Sequence, residues 1–146
     1  MRTFPILSIA LFAALAMSSC SKEDVQAEEK PRPRPEYAGK WKDVEISDRL
    51  SFFSLQFFLS HDLKGQLDAS SKEIISPFPP SPITWDRLAS DSVRIRFELP
   101  DYPQDTWEIR AITNTENSLM SGVYFRVGKA DTTDREEAGV IVLKRI

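Results

Sequence analysis

Beyond residue 37 the chain alternates apolar and polar side chains with a period of two, in short runs broken by turn residues. Val93, Ile95, Phe97 and Leu99 alternate with Arg94, Arg96 and Glu98, the pattern of a strand with one buried and one wet face. Pro100-Asp101-Tyr102-Pro103 ends that run. Trp107, Ile109 and Ala111 then alternate with Glu108 and Arg110, and a turn at Asn114 to Asn117 leads into Val123, Phe125 and Val127, which alternate with Tyr124 and Arg126. Successive antiparallel strands are predicted, with Trp107 and Phe125 in the inward phase. Lys129 to Glu137 reads as a charged loop, and Gly139 to Arg145, rich in β-branched residues, closes the chain. Ahead of these lie a first strand from Gly39 to Ile46, a hairpin turning near His61 to Gly65, a proline-rich loop from Ser76 to Pro82, and a strand from Ile83 to Leu88 around Trp85.

Leu50 to Leu59 carries two signals. Phe53, Leu55, Phe57 and Leu59 alternate as in a strand, whereas Phe52, Leu55 and Leu59 satisfy helical spacing. Alternation favours a strand, and Phe52 and Phe58 then give it a second apolar face, expected to be covered within the domain.

Eight short strands in hairpin order, with no long helix to cover a sheet, predict an all-β domain that closes on itself as a small antiparallel up-and-down barrel. Such a barrel holds either side chains or one small ligand. Trp41, Trp85, Phe97, Trp107 and Phe125 are bulky enough to fill most of it.

The N-terminal part follows different rules. Arg2 is followed by an apolar run from Phe4 to Ala16, interrupted only by Pro5 and Ser8, and then by small residues before Cys20. This is the three-part pattern of an export leader, too short before Lys22, Glu23 and Asp24 for a membrane span. From Ser21 to Glu36 only Val25 and Ala27 are apolar, and Pro31, Pro33 and Pro35 alternate with Lys30, Arg32 and Arg34. A segment of this composition cannot bury enough surface to fold, and its prolines favour an extended spacer. The expected organisation is a leader over 1–19, a tether over 20–36 and one domain over 37–146. Removing Arg2 takes the formal charge from −3 to −4, too mild and mixed to imply nucleic acid. With a single cysteine no internal disulfide is possible, so the domain relies on its core.

Met17-Ser18-Ser19-Cys20 resembles the lipobox of bacterial lipoproteins. The resemblance implies that Cys20 carries fatty acid such as palmitate and anchors the mature protein to the envelope. Lys22-Glu23-Asp24 is similar to the acidic signal that sends some lipoproteins to the cell surface, so the expected location is the outer membrane, on its periplasmic face or outside. Gly39-Lys40-Trp41, opening the first strand, resembles the Gly-x-Trp of lipocalins and the wider calycins. In those folds the Trp closes the barrel floor and a basic residue near the last strand, here Arg145 or Lys144, packs across it. A lipocalin-like barrel implies an interior ligand site, for which Trp41, Phe97, Trp107 and Phe125 are the candidates, and floor closure by Gly39, Trp41 and Arg145. Ser121-Gly122-Val123-Tyr124 is similar, one residue shorter, to the loop with which lipid-anchored lysozyme inhibitors block their target.

Candidate chemistry is sparse. His61 is the only histidine and falls in a turn, and no second His or Cys exists to complete a typical zinc site. Asp131, Asp134, Glu136 and Glu137 lack the ligand spacing of a calcium loop. No phosphate-cradling glycine loop occurs. The sequence therefore points to a non-enzymatic protein without cofactor or metal. Its partner is either a small apolar ligand inside the barrel or an envelope protein met by surface loops, with Phe78 and Tyr102 as exposed anchors. A hydrolase inhibitor is the alternative.

Overall fold

The computed structural model describes residues 36–73, 77–89 and 91–146; the leader, Cys20 and the tether up to residue 35 lie outside them. Eight strands follow in order: β1 (Gly39–Ile46), β2 (Phe53–Leu59), β3 (Lys64–Ser71), β4 (Ser81–Ala89), β5 (Ser92–Phe97), β6 (Asp105–Thr113), β7 (Leu119–Gly128) and β8 (Arg135–Arg145). Each is antiparallel to the next, and β8 returns to β1, so the sheet is a closed up-and-down barrel. Closure consumes the hydrogen-bonding edges that an open sheet of this composition would expose. A single 3-10 turn, Asp48–Leu50, is the one helical element among the described residues.

Inward positions follow the predicted alternation on most strands: Leu55 and Phe57, Ile83 and Trp85, Val93, Ile95 and Phe97, and Trp107, Ile109 and Ala111 are all buried. Where main-chain pairing fails, side chains take over. The ladder between β1 and β2 runs only from Gly39↔Leu59 to Lys42↔Gln56. Just beyond it, the Asp43 carboxylate accepts the Leu55 N–H at 2.6 Å and the Ser54 hydroxyl at 3.2 Å. That substitution coincides with a bulge in β1 between Asp43 and Glu45.

The two ends differ. The end holding Tyr37 and Arg145 has the short β2–β3, β4–β5 and β6–β7 connections. The opposite end carries the 3-10 turn and the longer loops, from which Phe78 and Tyr102 pack onto the core. At this far end the Tyr124 phenol accepts the Leu50 N–H at 3.1 Å and donates to the Ser47 carbonyl. It can do so because Gly139, its partner in β8, has no side chain: a Cβ there would lie 2.8 Å from the Tyr124 hydroxyl.

Several sequence expectations are corrected. In β7 the buried phase belongs to Met120 and Tyr124, not to Val123, Phe125 and Val127. Both phases are apolar enough to bury, but only the tyrosine has main-chain partners waiting inside. Phe52 and Phe58 are 57% and 47% exposed, so the second face of β2 is not covered. Phe78 and Tyr102 are partly buried against the core rather than exposed; Tyr102 meets both Phe53 and Trp107 edge-on. Arg135, Glu136 and Glu137 begin β8 rather than ending a charged loop, and Ser81 and Pro82 begin β4. Pairing partners across the sheet hold these polar residues in strands despite their composition.

Candidate functional site

Two regions gather the residues that could serve a function: the barrel interior and the outer wall over β4 to β8. Inside, Trp41 is completely buried at the floor, and its indole N–H donates to the Tyr37 carbonyl at 2.8 Å. Arg145 lies across it with the guanidinium carbon 4.6 Å from the ring centroid. The same guanidinium donates to the Ala38 carbonyl at 3.1 Å, the Asn117 carbonyl at 2.8 Å and the Glu36 carbonyl. Gly39, at φ +136°, lets the chain turn into β1 directly beneath that side chain. Lys144 is exposed and takes no part.

Above the floor the rings pack edge to face or tilted against one another. Phe97 meets Phe57 at 5.3 Å between centroids, and Trp107 meets Tyr102 at 5.5 Å and Tyr124 at 5.9 Å. Trp41, Phe97 and Trp107 thus share the interior, whereas Phe125 is outside. The Trp107 indole N–H is buried without an acceptor among the described residues.

Phe125 stands half-buried on the outer wall, with Arg135 4.1 Å and Arg110 5.6 Å from its ring centroid. Both arginines turn towards Glu108, which is only 3% exposed although it points away from the core. Its Oε1 accepts from Arg135 at 2.7 Å and from Arg110 at 2.8 Å, and its Oε2 accepts from Arg96 at 3.1 Å. Burial alone would push this carboxyl up, but hydrogen bonds from Arg110, Arg96 and Arg135 hold it below the usual range. The sequence shows these arginines only as wet faces of β5 and β6. Register supplies the rest, placing Arg96 opposite Glu108 and Arg94 opposite Arg110.

Beside Arg96 the wall opens. The β4–β5 ladder ends at Thr84↔Arg96. The Trp85 N–H goes to Leu63 on the β3 side, so Thr84 and Pro82 turn their main-chain groups towards β5. Pro82 has no N–H to give, and the next rung cannot be completed. The resulting groove has a volume of about 420 Å³ and runs between Ser81–Thr84 and Arg96–Glu98, with Thr106 at its far side. Buried Ile83 and Phe97 form part of its lining.

The remaining candidates lie apart. His61 is exposed in the β2–β3 turn, and Ser121 to Tyr124 form part of β7 rather than a projecting loop. Gly122 there is pinned against β6, where a Cβ would fall 2.0 Å from the Arg110 carbonyl.

Among solved structures, the chain is similar to the crystal structure of Treponema pallidum Tp0751 (Pallilysin), with 9% identity and a TM-score of 0.47 over 75% of this chain and 77% of that one. No protein-family description matches the chain, and no curated protein does.

Proposed function

We propose that this protein is a non-enzymatic, lipid-anchored envelope lipoprotein whose lipocalin-like barrel binds a protein partner through its outer wall. One contrast carries this reading. Inside, aromatic rings in mutual contact take up the space an apolar ligand needs; outside, a groove of about 420 Å³ stands open beside clustered arginines. The leader, Cys20 and the proline-rich tether support attachment to the bacterial envelope, with the outer membrane as the expected site. Arg145 seated over Trp41 supports the lipocalin-like assignment.

The test uses the full chain in a bacterial host. A photo-crosslinking amino acid at Thr84, in the groove, should give a discrete protein adduct, and the same group at Asp62, in the β2–β3 turn, should not. Adducts at both positions or at neither would remove the outer-wall assignment. Cys20→Ala should move the protein from the membrane to the soluble fraction, because acyl burial contributes about 0.8 kcal/mol per methylene. Retention on the membrane would remove the anchor.

A second reading, an apolar ligand in the interior, draws on the Trp107 indole N–H, which lacks an acceptor among the described residues. Mass spectrometry of an organic extract of the purified protein tests it, and a reproducible stoichiometric small molecule would favour it over the first.

A further inference from the structure

We infer that the outer wall binds an extended acidic peptide segment of the partner, with Arg96, Arg110 and Arg135 taking its carboxylates and the β4–β5 groove taking its main chain. This rests on the outer-wall reading above and names the chemistry of the partner. Three guanidinium groups surround one carboxylate, leaving two positive charges in excess around Glu108. Each arginine gives Glu108 a single N–H: Nε from Arg96 and Arg110, and one terminal nitrogen from Arg135. A guanidinium has five donors in a planar fork, so most of each fork is unused by protein acceptors among the described residues. Arg96 and Arg110 are 45% and 41% exposed at the side chain, so those donors are reachable.

The neighbours do not cancel this charge. Arg94 is engaged with Asp86, and Glu98 at the groove edge is engaged by Lys129 at 2.7 Å. Glu137 is opposite Phe125 in β8, on the side of the cluster away from the groove. The arginines are also held in place before any ligand arrives, two of them by the Phe125 ring and all three by Glu108. Pre-positioned forks of this kind suit carboxylates.

The groove decides between a peptide and a free anion. Past Thr84↔Arg96 the chain runs on to Glu98, one residue beyond β5, which lines the gap together with Pro82. An extended chain could pair with Glu98 and place alternate side chains, one over Ile83 and Phe97 and the next towards Arg96, as in strand addition to a sheet edge. Inorganic anions would use the arginines and ignore the groove.

Fluorescence polarisation with the full-length protein at low salt tests this, with a labelled peptide alternating Glu with Val and a control in which Gln replaces Glu. The Glu peptide should bind about tenfold or more tightly than the control, and Arg96→Gln and Arg110→Gln should each weaken it by about tenfold, the scale of one charge-assisted hydrogen bond. Thr84→Glu, which leaves the Glu108 cluster intact, should weaken it similarly, and Lys144→Gln should not. Equal binding of both peptides, or arginine variants that bind normally, would overturn the inference. Displacement of the peptide by an equal concentration of inorganic phosphate would overturn the peptide in favour of a simple anion site. Crosslinks at Thr84 that persist in the arginine variants would remove the acidic segment yet leave the partner reading standing.

Discussion

The Tyr124 phenol bridges Ser47 and Leu50, accepting the Leu50 N–H at 3.1 Å while donating to the Ser47 carbonyl. One side chain of β7 thereby ties down the 3-10 turn that closes the far end of the barrel. Tyr124→Phe keeps the ring and removes both bonds, leaving the buried Leu50 N–H without its acceptor. A loss of about 1–3 kcal/mol is expected, read from the midpoint of urea unfolding at unchanged slope.

The same phenol gives the protein an alkaline limit. Burial raises the Tyr124 hydroxyl above its ordinary value of 10.0, so the folded state holds this proton more tightly than the unfolded chain. Its contribution is fully present below pH 10 and is lost as pH rises through the folded value. Stability measured by denaturant unfolding should fall above about pH 10, and less steeply in Tyr124→Phe; identical slopes would refute the assignment.

Much of this architecture is legible in the chain. The strand from Gly39 to Ile46 and the alternations around Ile95 and Trp107 are found as the period of two predicts, because burial on one face fixes the phase. The inward phase expected of Phe125 is the one that fails: both phases of its strand carry large apolar side chains, and Met120 and Tyr124 are the buried ones. What inverted it was a tyrosine hydroxyl meeting groups some 75 residues away, which no local pattern encodes. The arginine cluster was hidden for a related reason: Arg96 and Glu108 are on different strands, and only their register makes them neighbours.

Glu108 sets the behaviour in acid. Although burial opposes its charge, three arginines hold the carboxyl below its ordinary 4.5. The stabilisation is present above that value and is lost as pH falls through the lower, folded one. Glu108→Gln should cost about 1–3 kcal/mol at neutral pH and should flatten the acid side of the stability profile. A variant with the wild-type acid profile would show that the cluster is not the source.

At the floor, Arg145→Ala removes three hydrogen bonds to main-chain carbonyls together with the cation over Trp41. A loss of about 2–4 kcal/mol is expected. Lys at this position should recover little, since an ammonium cannot reach three separated carbonyls while covering an indole face. Thermal unfolding of the two variants compares them directly.

Beyond Thr84↔Arg96 the β4–β5 ladder stops at Pro82, and restoring its N–H should close the gap. In Pro82→Val the new amide can complete the rung with Glu98, so slow hydrogen exchange at residue 82 is expected, with a gain in stability of about 1 kcal/mol. Rapid exchange there would mean that something other than the missing donor holds the strands apart.

The clasp between Arg145 and Ala38 joins residues 107 apart, and the β1–β8 seam pairs the first strand of the barrel with its last. A barrel of this design shuts only when its first and last strands meet, and contacts of such long range form slowly. Until that seam forms, β1 and β8 each keep an unpaired edge, so the ring is whole only when its two most distant strands have met.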